Sequence, residues 1–285
     1  MKYGIMFANA GPFANPELFS HLMTSADSAG IESAWTVEHV FVPRNYESTY
    51  PYAPGGKMPG PENSPIPDPF VALAYAAAIT KKIRLATGVL ILPQRHPAYV
   101  AKEVASLDVL SGGRVTLGIG VGWLKEEFDA LGISFDDRAA RTRETVDAMR
   151  SLWSGGPSTF HGKFFNWDSV ESNPKPVQGP NVPIVIGGHT DIAARRAARY
   201  GNGFFPGRGS ADRLKELIGI LRDECAKIGR DPAEIELTGG MMAPDPDYVA
   251  KAEEMGFSRL IVAPPGYDRD GISRGFEAFA AAFLK

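Results

Sequence analysis

Short β-rich runs alternate with amphipathic helical runs from one end of this 285-residue chain to the other, and that alternation is what most narrows its fold. Strands separated by helical crossovers pair in parallel, and a parallel sheet needs helices over its faces. Runs at 3–7, 33–37, 84–89, 115–119, 183–186, 203–205, 234–238 and 259–262 read as strands. Helical patterns follow them near 16–29, 70–80, 98–110, 137–153, 191–200, 211–228, 247–254 and 273–284. Eight such pairs predict an α/β chain folded as one (β/α)8 TIM barrel, a single domain over 1–285.

Two connections exceed what a barrel needs. The segment 40–69, after the second strand, carries seven prolines and three glycines between Pro51 and Pro69, a composition that suits a lid or binding loop. The segment 155–182, before the fifth strand, contains Phe160-His-Gly-Lys-Phe-Phe-Asn-Trp167, which reads as a short hairpin. Both are read as insertions into the barrel and neither as a domain boundary.

Composition excludes several classes of function. A net charge of −3, from 30 basic and 33 acidic residues spread along the chain, leaves no footprint for nucleic acid or an anionic membrane. Cys225 is the only cysteine, so neither an internal disulfide nor a thiolate zinc site can form. It continues the spacing of Leu214, Leu217, Ile218 and Leu221 and reads as part of a buried helix face. No signal peptide or membrane span is evident, and a cytoplasmic location is expected. The motifs G-x-x-x-x-G-K-[ST], H-E-x-x-H and G-x-S-x-G are absent, and the five histidines follow no metal spacing.

In a parallel barrel, chemistry belongs on the loops that follow the strands. Ser111-Gly-Gly-Arg-Val-Thr-Leu-Gly-Ile-Gly-Val-Gly-Trp-Leu-Lys-Glu-Glu-Phe128 joins a helix end, a strand and a glycine-lined opening. Gly112 and Gly113 suit a left-handed helix close, whereas Gly120 and Gly122 leave backbone bare for a flat or phosphorylated ligand or simply relieve crowding. Gly118, Gly120 and Gly122 are not a dinucleotide fingerprint, because the third glycine of that motif would fall on Trp123. Glu126 and Glu127 follow; one can reach the site while the other pairs with Arg138 or Arg141.

Three further strand ends carry candidates. Past the second strand stand Glu38 and His39, a carboxylate beside a group able to move a proton near neutral pH. Thr87-Gly88-Val89 closes the third strand, where a bulge can push backbone toward a ligand. Ile186-Gly187-Gly188-His189-Thr190-Asp191 opens a helix whose N-terminal amides suit a phosphate, with Thr190 or Asp191 as its cap. Gly207 and Arg208, after the sixth strand, place a cation near the same anion. Arg195, Arg196 and Arg199 read as a solvated outer face.

These residues resemble the luciferase-like family of flavin- or deazaflavin-dependent oxidoreductases, built on a modified eight-stranded barrel. The likeness rests on Trp35-Thr-Val-Glu-His39, Leu85-Ala-Thr-Gly-Val89, the run from Ala105 through Trp123, Pro183-Ile-Val-Ile-Gly-Gly188 and Tyr200-Gly-Asn-Gly-Phe-Phe-Pro206. It covers nearly the whole chain and looks closest to the branch that uses coenzyme F420. The resemblance implies hydride transfer between the deazaflavin and an organic substrate, with His39 handling the proton and Glu38 orienting it. Glu38 and His39 would border the ring, and the Gly88–Val89 peptide would match the family's non-prolyl cis bond. Gly120, Val121, Gly122 and Trp123 would flank the ring, and Ile186, Gly187 and Gly188 would hold the phosphate end. Several members of the branch carry an acid where this chain has Trp123. Two other readings stand beside it: an FMN-dependent monooxygenase, and a cofactor-binding protein without turnover. The family likeness also implies a homodimer, and Tyr46, Tyr50, Tyr52 and Met58 in the lid point to a hydrophobic or aromatic small-molecule substrate.

Overall fold

The computed structural model describes every residue except Pro54, Arg208, Met242, Pro244 and Lys285. Its strands are β1 (Lys2–Ile5), β2 (Ser33–Thr36), β3 (Arg84–Thr87), β4 (Leu90–Ile91), β5 (Val115–Gly120), β6 (Ser158–His161), β7 (Asn166–Val170), β8 (Ile184–Gly187), β9 (Gly203–Phe205), β10 (Glu236–Met241) and β11 (Arg259–Val262). Around them lie α1 (Pro16–Ala29), α2 (Pro69–Ile79), α3 (Pro97–Ser111), α4 (Lys125–Ala130), α5 (Arg138–Trp153), α6 (Asp191–Tyr200), α7 (Ala211–Ile228), α8 (Pro246–Met255) and α9 (Arg269–Phe283). Parallel pairing runs β3-β2-β1-β11-β10-β9-β8-β5, and β5 pairs back onto β3, closing the expected eight-stranded barrel. β6 and β7 form the antiparallel hairpin of the second insertion.

Helix boundaries follow capping chemistry. Asn15 starts α1 by accepting the amides of Glu17 and Leu18, and Gly30 ends it at φ 85°. Asp68 starts α2 by accepting those of Phe70 and Val71, with Pro69 at the first position. Gly112, at φ 70°, closes α3, as its left-handed tolerance predicts.

A small apolar group of Trp35, Ala86, Val185, Phe205 and Ile261, with Met6 packed on it, is separate from the larger core that gathers the helix-facing side chains. Trp35 is fully buried and donates through Nε1 to Ser33 Oγ at 2.8 Å. Arg259 lies across the Trp35 ring at 5.7 Å and is clamped by both carboxylate oxygens of Glu32 at 2.8 Å each. Cys225 is buried on α7, as its spacing predicts.

Several boundaries differ from expectation. The third strand stops at Thr87 because the chain breaks step at Gly88–Val89 and resumes as β4, which pairs with β5. The seventh barrel strand starts at Glu236, since Pro232–Glu234 forms a 3-10 turn capped by Asp231. α9 begins at Arg269, where Asp268 accepts the Gly271 amide. α4 was not expected. Arg199 and Arg195 are not simply solvated: they reach Glu224 on α7 at 2.6 Å and 4.0 Å. Among the described residues no helix is long and apolar enough to cross a membrane.

Candidate active site at the barrel mouth

The C-terminal ends of the strands form the mouth, and its floor is organised around Val89. The Gly88–Val89 peptide is cis, as the resemblance implies. An ideal Cβ on Gly120 would stand 2.7 Å from Val89 Cγ2, and one on Gly187 would stand 2.6 Å from Val89 Cγ1. These two glycines therefore make room for the Val89 side chain, which for Gly120 is the relief of crowding that the sequence left open. Gly118 is glycine for a stricter reason, since its Cβ would lie 1.9 Å from the Thr87 carbonyl oxygen. Thr87 spends its hydroxyl on the Gly118 carbonyl at 2.6 Å. Gly122, at φ +80°, lets Phe128 and Ile91 close beneath it, where a Cβ would stand 2.6 Å from the phenyl ring.

One wall is His39. Its Nδ1 lies 2.9 Å from Glu127 Oε2, and its ring meets Trp123 edge to face at 5.7 Å. Glu38 does not orient it. Glu38 instead enters a buried clamp, where it accepts the Ile91 amide at 2.6 Å and Arg95 Nε at 2.7 Å. Arg95 also reaches Asp68 Oδ2 at 2.6 Å, at the far end of the long 40–68 segment. Burial pushes the Glu38 carboxyl above its ordinary range, against the pull of Arg95 and the Ile91 amide. Burial also disfavours the Arg95 charge, but Glu38 and Asp68 outweigh it and push the Arg95 pKa up.

The segment 40–68 is a roof pinned at both ends. Asn9, fully buried, donates through Nδ2 to the carbonyls of Val37 and Pro67 and accepts the Val37 amide. Glu127 accepts the amides of Val40 and Phe41 at 2.7 and 3.1 Å. Glu126 accepts the amides of Glu47 and Ser48 and the Ser48 hydroxyl, at 2.6, 3.0 and 2.6 Å. Partial burial works against the Glu126 charge, yet the Ser48 hydroxyl and the backbone amides bring its pKa down to about 2. Glu127 is the one of the two that reaches the site, and Glu126 does not take the arginine partner expected of the other: Arg138 stacks on Phe135 and Arg141 donates to the Pro93 carbonyl.

Aromatic rings cross the mouth under this roof. Trp123 meets Tyr46 at 5.4 Å and Tyr50 at 5.1 Å; Tyr50 meets Tyr52 at 5.5 Å, and Tyr52 meets His189 at 4.9 Å. Gly207, at φ +74°, lies beside the Tyr52 ring. His39, Trp123, His189 and Gly207 thus share one mouth. Arg208, expected to reach the same anion, lies outside the described residues.

At the start of α6 the expected phosphate cradle is narrower than the sequence suggests. Gly188 spends its amide on the Phe205 carbonyl at 3.1 Å, and Thr190 caps the helix through the Ala193 amide. Ile186 turns away: Val185 belongs to the Trp35 group, so its neighbour faces the helices, where it crowds Gly201. What remains for an anion is the helix start and His189, whose buried Nδ1 has no hydrogen-bond partner among the described residues. Burial, then Arg213, holds the His189 pKa down, and a neutral imidazole still offers one N–H.

The mouth of this parallel barrel thus combines a branched side chain seated between glycines with a histidine held by a buried carboxylate. The luciferase-like monooxygenase model matches residues 14–244, and the chain belongs to that family. A protein of Mycobacterium tuberculosis with no assigned function is 34% identical over 90% of this chain and 88% of its own length. The FMNH2-dependent dimethylsulfone monooxygenase of Pseudomonas putida is 30% identical over 64% of this chain and 51% of its own. Among solved structures, monooxygenase RslO1 from Streptomyces bottropensis superposes with a TM-score of 0.79 at 25% identity, covering 100% of this chain and 99% of its own. An F420-dependent secondary alcohol dehydrogenase superposes at 0.77 with 19% identity over 97% of each chain.

Proposed function

We propose that this protein is an F420-dependent oxidoreductase that exchanges a hydride with an organic, apolar substrate at the barrel mouth. The observation that carries the reading is the His39–Glu127 contact at 2.9 Å. Oxidation of an alcohol, or reduction of a carbonyl, moves a proton as well as a hydride, and a positioned imidazole is suited to the proton.

The residues present fit a tricyclic cofactor with an anionic arm. Val89, His39 and Trp123 would border the ring, and His189 Nδ1 with the start of α6 would take the phosphate end. When bound, the deazaflavin supplies the hydride chemistry. The chain's own part is to hold His39 in place, to exclude water beneath the 40–68 roof and to surround the substrate with Tyr46, Tyr50, Tyr52 and Trp123. The Tyr50–Tyr52 bridge crosses the mouth, so cofactor entry would displace it and change Trp123 emission.

A second reading, a reduced-FMN monooxygenase, is favoured by the dimethylsulfone enzyme and RslO1, which are monooxygenases. Parallel titrations with coenzyme F420 and FMN, read by tryptophan emission, separate the two. Selective F420 binding followed by hydride exchange with an alcohol or carbonyl panel supports the first reading. Selective FMN binding supports the second, and tight binding without turnover would leave a cofactor-binding protein.

A further inference from the structure

Three consecutive residues bond to one carboxylate. Glu127 Oε2 faces His39 Nδ1 at 2.9 Å, while Oε1 accepts the Val40 and Phe41 amides at 2.7 and 3.1 Å. The Glu127 side chain is fully buried, and that of His39 is 9% exposed. We infer that Glu127 is a positioning residue that fixes His39 as its Nδ1–H tautomer, with the same carboxylate pinning the start of the 40–68 roof.

The argument is one of donors and acceptors. A carboxylate can only accept, so the ring nitrogen facing it carries the hydrogen. The other nitrogen, Nε2, has no hydrogen-bond partner among the described residues and, in the neutral ring, carries the lone pair. It is the ring atom free to take a proton. Trp123, edge to face at 5.7 Å, hinders rotation of the ring. Because the same carboxylate accepts the Val40 and Phe41 amides, the start of the roof pins the group that holds His39. The roof and the proton-handling atom are then set by a single side chain. Glu38, adjacent in sequence, cannot substitute, since its oxygens are taken by Ile91 and Arg95.

Glu127→Gln gives an unusual test. Glutamine has one acceptor oxygen for three donors. The orientation that keeps two bonds turns that oxygen to the Val40 and Phe41 amides and its NH2 to His39 Nδ1. Nδ1 must then accept, and the hydrogen moves to Nε2. Long-range 15N–1H correlation on the 15N-histidine-labelled full chain, above the imidazole titration, reads the tautomer directly. The His39 signals are assigned by their loss in His39→Gln. The expected result is Nδ1–H in the wild type and Nε2–H in Glu127→Gln. Nε2–H in the wild type overturns the inference whether or not the variant folds; so does an unchanged tautomer in a folded Glu127→Gln.

The catalytic use of Nε2 rests on the function proposed above, but the tautomer does not. In the loaded enzyme the variant should lose about tenfold or more in kcat with little change in KM. An inverted tautomer with undiminished kcat would sink the proton role of His39 and leave the positioning role standing.

Discussion

Val89 and Gly120 fit as a knob and the space for it: a Cβ on Gly120 would lie 2.7 Å from Val89 Cγ2, closer than real contacts allow. Gly187 frames the other methyl in the same way, at 2.6 Å from Cγ1. The glycines of β5 and β8 thereby place a branched side chain on the floor of the mouth. What looks in sequence like a phosphate-binding glycine run is, at these two positions, a socket.

Adding a methyl to the socket should overpack it. Gly120→Ala is expected to destabilise the protein by about 1–3 kcal/mol. Val89→Ala in the same chain should restore part of that loss, because the clash is with its methyl. Denaturant melts of both single variants and the double variant measure the coupling. Strictly additive losses would show that the two side chains do not compete for the space.

His39 is the residue on which turnover should depend most. Replacing it with glutamine is expected to lower kcat by roughly 10²- to 10⁴-fold, the range for losing a general acid or base. Cofactor affinity should change far less. Equal losses in both would move His39 from proton transfer to cofactor binding.

The barrel was legible because parallel strands and amphipathic crossovers leave local signals: each of the eight strand–helix pairs has its counterpart in the structure. The site was legible only where its residues are strand ends. His39 and Trp123 could be placed that way, and one of Glu126 and Glu127 could be brought to the site, but which of them, and that it partners His39, could not be read. Glu38 is its neighbour in sequence and Glu127 is 88 positions away, so adjacency favoured the wrong carboxylate. The Arg95 clamp was hidden for the same reason, since it joins Glu38 to Asp68 through a residue with no motif.

The Glu126 latch on the roof should be insensitive to pH over the ordinary range. Its pKa lies near 2, below the usual 4.5. A depressed carboxyl contributes stability that is present above the unfolded value and is lost as pH falls through the folded one. Emission from Trp123, isolated by subtracting a Trp123→Phe variant, should therefore hold steady down to pH 4.5 and change between there and about 2. Glu126→Gln should already show the loosened signal at neutral pH. A wild-type change centred near pH 6 would point to a different latch.

The homodimer expected from the family would cover α2. That helix carries no charged residue in Pro69–Ile79, and yet Val71 is 68% exposed. A helix apolar on every side belongs in an interior, so a second copy of the chain is proposed as its cover. Val71→Glu should then shift the molecular mass measured by light scattering from dimer toward monomer, with the monomer fold intact. A mass unaffected by the substitution would place any dimer contact elsewhere.

Arg95 compensates a carboxylate that is otherwise out of water, and Arg95→Met should be costly in a pH-dependent way. Glu38 is 5% exposed, and removing one partner of a buried pair costs about 3–5 kcal/mol. With the guanidinium gone, burial acts on Glu38 with little opposition and raises its folded-state pKa further above the unfolded value. A raised carboxyl contributes stability that is fully present below the unfolded pKa and lost as pH rises through the folded one. The gap between wild type and Arg95→Met should therefore be widest near pH 8 and narrow as pH falls toward the ordinary carboxylate range, below which Glu38 is neutral whether folded or unfolded. Adding Glu38→Gln to Arg95→Met should recover stability at pH 8 by the same logic. Urea midpoints at pH 8 and in the carboxylate range test it: a constant gap would mean that Arg95 acts through packing on Phe70, whose ring it covers at 5.5 Å, and not through its charge.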